Sequence, residues 1–107
     1  MKQTEFYTCL NKDRVLYKIK RVGYTKTFVD YSGTEVTFNC YKYKDKWFCV
    51  ESETGCSITP PQTTRERAFT TAFTTLNNYA INHNRTIKAM VDGFKKVDEY
   101  KEYKGEE

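Results

Sequence analysis

The stretch Lys46-Trp47-Phe48-Cys49-Val50-Glu51-Ser52, followed by Glu53-Thr54-Gly55 and then by Thr63 to Ala80, reads as strand, turn and helix and fixes the fold class. It holds the only Trp and both prolines of the chain. Trp47, Phe48, Cys49 and Val50 favour a pleated, half-buried strand, and Thr54-Gly55 supplies turn chemistry. Pro60-Pro61 ends any ladder there, because proline lacks the N–H that pairing requires.

Downstream, Thr63-Thr64-Arg65-Glu66 predicts a capping box with Thr63 as N-cap and Glu66 three residues on. Phe69, Ala72, Phe73, Leu76 and Ala80 then recur at helical spacing and would cover a sheet. The apolar seam continues through His83, Ile87, Met90, Phe94 and Val97, which fits one long helix or two shorter ones. Three poor helix formers, Asn82-His83-Asn84, favour a break, giving a main helix over Thr64 to Ile81 and a further C-terminal helix. Residues 1–97 are read as a single domain, and the charged segment Asp98 to Glu107 is expected to fray.

Upstream, Thr34 to Lys44 and Lys46 to Ser52 form the strongest hairpin signal. A turn at Lys44-Asp45 sets Cys40 opposite Cys49 and Tyr41 opposite Phe48 if the loop has an even length; a three-residue loop would move these partners to different faces. Phe6 to Leu10 and Arg14 to Val22 read as an earlier hairpin with a turn at Asn11-Lys12-Asp13. Gly23 interrupts the pattern, Thr25 to Asp30 is β-rich, Tyr31-Ser32-Gly33 is a turn, and Cys56-Ser57-Ile58 is a candidate short strand. The expected fold is therefore α+β: an antiparallel sheet of four to six strands packed by one main helix, with a second C-terminal helix. Trp47, Cys49, Phe69, Phe73 and Leu76 are the expected core.

At 107 residues the chain is long enough to bury a core without staples. Aliphatics are few, but aromatics make up 16% of the chain, and their large areas carry the burial. The net charge of +4 is uneven: residues 1–50 hold ten Lys and Arg against five acids, and residues 51–107 hold eight against nine. No apolar run reaches the roughly 18 residues of a membrane span. The N-terminus lacks a signal-peptide core, so the expected setting is cytoplasmic, with Cys9, Cys40, Cys49 and Cys56 reduced.

No catalytic constellation, metal or cofactor is expected. The four cysteines lack paired metal-ligand spacing and the chain has one histidine. His83 lies among asparagines with no evident nucleophile, which suits a helix-boundary role. Glu51 and Glu53 lie near a strand end without any sign of a substrate pocket. Phosphate-binding glycine patterns and nucleophile elbows are absent.

Two features point to binding. The first is aromatic and basic interleaving on predicted strands, in Tyr17-Lys18-Ile19-Lys20-Arg21, Tyr24-Thr25-Lys26 and Tyr41-Lys42-Tyr43-Lys44. Cations neutralise phosphates while tyrosine rings stack on bases, so Lys18, Lys20, Arg21, Lys26, Tyr41, Lys42, Tyr43, Lys44 and Lys46 are the candidate nucleic-acid residues; a solvated sheet face would carry the same composition. The second is the absence of charge from Ala68 through Asn84. Thr71, Thr75, Asn78 and Asn82 form an uncharged helical stripe that suits a partner protein or a homodimer, unless the second helix folds back over it.

The order of strands, then Trp47, then Thr54-Gly55, then a Thr-capped helix resembles the sheet-plus-helix arm DNA-binding domains of tyrosine recombinases over about Tyr31 to Ala80. That resemblance implies a sheet entering a DNA groove with Lys42, Lys44 and Lys46 near phosphates. In size and composition the chain also resembles small accessory proteins of bacteriophages and mobile elements, such as anti-CRISPR inhibitors. Two expectations follow: a non-enzymatic protein acting on nucleic acid or a nucleoprotein complex through its basic Tyr/Lys face, or a protein-binding inhibitor of a nucleic-acid-handling defence enzyme using the uncharged helix face.

Overall fold

In a computed structural model describing residues 2–105, the chain runs β1 (Thr4–Lys12), β2 (Val15–Val29), β3 (Glu35–Tyr43), β4 (Lys46–Glu51), α1 (Arg65–Asn82) and α2 (Ile87–Asp92), then a 3-10 turn over Val97–Glu99. The fold is α+β. The four strands form an antiparallel meander in the order β1-β2-β3-β4.

The expected break at Gly23 does not occur. β2 is one long strand that changes partners there: Val15 to Gly23 pairs with β1, and Tyr24 to Val29 pairs with β3. Glycine is needed because a Cβ at position 23 would stand 1.9 Å from the Cys40 carbonyl oxygen. Its signature is therefore a close backbone approach, which in sequence looks the same as a break.

The β1–β2 and β3–β4 hairpins close through two-residue turns with left-handed backbone, Asp13-Arg14 at φ 53° and 69° and Lys44-Asp45 at φ 51° and 64°. Such turns match the strand twist. The first turn thus overlaps the expected Asn11-Lys12-Asp13 only at Asp13, because β1 runs on to Lys12. The second has the even length that pairs Cys40 with Cys49 and Tyr41 with Phe48, as expected.

One sheet face packs on α1. Phe38, Cys40, Cys49, Ala68, Phe69 and Ala72 are its buried centre, with Ile87, Met90 and Val91 of α2 closing one side. Phe28 stacks on Phe73 at 4.6 Å and 7° and meets Phe38 edge-on at 5.8 Å. Of the expected core, Cys49 and Phe69 are fully buried, whereas Trp47, Phe73 and Leu76 are half-buried at its border. Over the opposite face, Phe6 approaches Tyr41 at 6.4 Å, and Asn39, Tyr41 and Val50 are buried.

α1 is capped by Thr64, whose hydroxyl accepts from Arg67 N–H, one residue later than expected; position N3 is then Arg67 and no capping box forms. The helix ends at the predicted break. His83 is its C-cap, Nδ1 lies 2.9 Å from the Tyr79 carbonyl, and Asn84 takes a left-handed φ of 51°. α2 is only six residues long, so the apolar seam stops early: Phe94 is 65% exposed and His83 is exposed. Cys56-Ser57-Ile58 contributes an isolated bridge, Val50 to Ser57, and no strand.

The segment after Val97, expected to fray, carries backbone hydrogen bonds. β3 pairs with β2 only as far as Tyr24, which leaves part of the β2 edge uncovered. There Lys18 N–H donates to the Lys101 carbonyl and Tyr103 N–H to the Lys18 carbonyl, at 3.0 and 2.9 Å.

Candidate functional site

The sheet register sorts the nine candidate nucleic-acid residues into two groups. Lys18 and Lys20 lie on the β1–β2 hairpin beside Tyr7, 4.5 and 5.6 Å from its ring centroid. Both meet intramolecular groups: Lys18 Nζ donates to the Asp98 carbonyl at 3.1 Å, and Lys20 lies 3.8 Å from Glu5. Arg21 also belongs to the part of β2 that pairs with β1, opposite Phe6, and the other six lie on the β2–β3–β4 half of the sheet. Tyr43 and Lys46 flank the β3–β4 turn, Lys44 is in it, and Lys42 pairs with Trp47 one step below.

The sequence did not reveal that the start of α1 reaches this end of the sheet. Trp47 and Gln62 exchange two backbone hydrogen bonds at 2.8 and 2.9 Å, which holds the approach to the helix beside the turn. Arg65 then spreads its guanidinium 4.1 Å over the Tyr24 ring, and Tyr24 lies 6.1 Å from Trp47. Arg67 is exposed in the same helical turn. The Glu66 carboxyl is held below its ordinary value by its own backbone N–H and, against a smaller opposing effect of burial, by Arg65 and Lys26, which places Lys26 in the same neighbourhood.

The result is a basic end. Lys42, Lys44 and Lys46 at the β3–β4 turn and Arg65 and Arg67 at the α1 N-terminus share one end of the sheet, against Asp45 and Glu66, while Arg21 lies over the Tyr41 and Tyr43 rings and Lys26, opposite Phe38, stands farther along β2. Among the described residues Lys26, Lys42, Lys44, Lys46 and Arg67 make no ion pair. The α1 macrodipole adds positive potential at the same place.

The aromatic half of the expectation changes more. Tyr41 is 9% exposed and stacks on Phe48 at 5.3 Å, with Arg21 4.6 Å over its ring, so it is not an open platform for a base. Tyr43 is half-exposed, edge-on to Phe48 at 6.3 Å, with Arg21 at 5.4 Å. Trp47 and Tyr24 are also half-exposed.

The uncharged stripe lies on the outer side of α1: Thr75, Asn78 and Asn82 are exposed and Thr71 is half-buried. α2 lies against the core and does not cover them. Beside Thr75 runs an apolar groove of about 380 Å³, lined by Ile58, Leu76, Tyr79, Met90 and Phe94 among others.

Glu51 and His83 both have structural roles. Glu51 is 2% exposed and its carboxylate accepts from Glu53 and Thr54 N–H at 2.9 and 2.8 Å, which shapes the turn after β4. His83 is the helix cap described above. Among the described residues no group of His, Cys, Asp and Glu could hold a metal ion, and no helix is long and apolar enough to cross a membrane. Compared with protein-family models, curated proteins and solved structures, the chain matches none.

Proposed function

We propose that this is a non-enzymatic nucleic-acid-binding protein whose contact surface is the basic end of the sheet. The observation that carries the reading is the placing of Lys42, Lys44 and Lys46 at one turn beside Arg65 and Arg67 at one helix N-terminus, with few carboxylates nearby. Lys42, Lys44, Lys46 and Arg67, which make no ion pair among the described residues, would meet phosphates, and the half-exposed rings of Tyr43 and Trp47 would offer faces for bases. Fluorescence anisotropy with labelled single-stranded and duplex DNA at low salt tests this. The double variant Lys42→Glu, Lys46→Glu should lose binding at least tenfold, and Lys20→Glu should leave it within about twofold. Equal losses would show that overall charge, and not this end, governs binding.

A second reading is favoured by the exposure of Thr75, Asn78 and Asn82 beside the apolar groove. An uncharged face loses less solvation on docking than a Lys/Glu face, so this side of α1 would bind a protein of a nucleic-acid-handling complex, or a second copy of the chain. Thr75→Arg with Asn78→Arg should then abolish association without lowering the melting temperature. Affinity purification with and without nuclease separates the two readings, since a partner retained after nuclease treatment is held by protein contacts.

A further inference from the structure

We propose that Cys9 and Cys56 form a redox-sensitive pair that closes reversibly into a disulfide joining β1 to the loop after β4. This inference is independent of the function proposed above. The cysteines are 47 positions apart in sequence, and sequence spacing gave no hint of their pairing. In the fold, Cys9 N–H donates to the Gly55 carbonyl at 3.0 Å, which sets Cys9 alongside the residue preceding Cys56. Both thiols then point to one acceptor, the Thr54 carbonyl, at 3.0 Å from Cys9 Sγ and 3.8 Å from Cys56 Sγ. Burial, and then the neighbouring Cys56, push the Cys9 thiol up to about 11, which keeps it protonated and suits it to the second, resolving step.

Access distinguishes this pair from the other. Cys40 and Cys49 face each other across β3 and β4, but they are 0% and 3% exposed, so neither thiol is presented to solvent. Their mutual hydrogen bond and burial raise the Cys40 thiol far above its ordinary range. Cys56 is exposed, and Cys9 lies half-buried behind it. That is the arrangement of an attacked sulfur with a resolving partner.

With hydrogen peroxide as oxidant, the Cys56 thiolate takes one oxygen, giving a sulfenic acid while the O–O bond breaks and the other oxygen leaves as water after protonation. The Cys9 sulfur then attacks the Cys56 sulfur. The S–S bond forms, the S–O bond breaks, and the hydroxyl leaves with the Cys9 proton as a second water. Two thiols are oxidised by two electrons and one peroxide is reduced; a dithiol reverses the step by exchange. Gly55 keeps the two segments close: its φ is +69°, and an added Cβ would lie 3.1 Å from Cys9 N and 2.7 Å from a Val97 methyl.

The test is peroxide titration of the full chain, followed by alkylation in denaturant and peptide mass spectrometry. Two of the four thiols should disappear, a linked Cys9–Cys56 peptide should appear, and dithiothreitol should restore both thiols. Cys9→Ser should stop at a dimedone-reactive sulfenic acid on Cys56, and Cys56→Ser, an exposed position that folding tolerates, should keep its three remaining thiols. Over-oxidation of Cys56 in the wild type without the linked peptide, a Cys56–Cys56 link between chains, or a Cys40–Cys49 link would each overturn the proposal.

Discussion

Replacing Gly23 by alanine tests the central feature of the sheet, the single strand that serves two partners. An added Cβ would lie 1.9 Å from the Cys40 carbonyl oxygen, 2.9 Å from its carbon and 3.1 Å from the Tyr41 Cα. All three obstacles are main chain, so no side chain can swing aside; β2 and β3 must separate where Tyr24 pairs with Cys40. Overpacking in a core costs about 1 to 3 kcal/mol when side chains can adjust. Here the backbone must move and Cys40 is fully buried, so the expected loss is at least about 3 kcal/mol, or a fall in melting temperature of at least about 12 °C. Gly33→Ala is the control: φ is +84° but nothing lies within 4 Å of the new atom, so only the left-handed backbone penalty of about 1 to 2 kcal/mol applies. Urea unfolding of both variants decides the point. If Gly23→Ala loses no more than Gly33→Ala, the close approach of β2 to β3 is wrong.

Three further outcomes are expected. Arg14→Gly should stabilise the protein by about 0.5 to 1.5 kcal/mol in thermal or urea unfolding, because Arg14 holds φ 69° in the first hairpin turn. Phe69→Ala should cost about 3 to 5 kcal/mol and Phe94→Ala less than about 0.5, since the rings are 2% and 65% exposed. The Asp30 carboxyl is lowered: burial opposes its ionisation, but hydrogen bonds from Ser32 Oγ, Thr34 N–H and Ser32 N–H outweigh that. Its contribution is therefore present above the unfolded carboxylate value near about 3.9 and is lost as pH falls through the lower folded value, so urea unfolding against pH should show Asp30→Asn to be less stable at pH 7 but closer to wild type in strong acid.

Local chemistry was legible; long-range placement was not. The β3–β4 register followed from alternation and an even loop, and the end of α1 followed from Asn82-His83-Asn84, because both are decided by residues adjacent in sequence. Gly23 misled because a glycine that ends a strand and one that admits a neighbouring backbone look alike until the neighbour is known. Phe94 kept the helical period after the helix had stopped at Asp92, so periodicity placed it in a seam that is not there. Around the proposed surface, Lys42 and Lys44 stood out in sequence by their interleaving with tyrosines, but the nearness of Arg65 and Arg67 did not, because the Trp47–Gln62 bridge, which carries α1 to the turn, leaves no pattern in the sequence. The burial of Tyr41 was hidden for a similar reason: the pairing with Phe48 was legible, but only the fold brings Arg21 over its ring.

The most direct test of the proposed function is the salt dependence of DNA binding, since each neutralised phosphate releases counterions and adds about 0.7 to 0.9 to the slope of log K against log salt. Contacts from Lys42, Lys44, Lys46 and Arg67 predict a slope near about −3, measured by anisotropy from low to physiological salt. Lys42→Ala should make the slope shallower by about one unit. Lys20→Ala, on the far hairpin, should leave it unchanged. Absence of binding to DNA and RNA at low salt, or equal slope changes from both variants, would contradict the account.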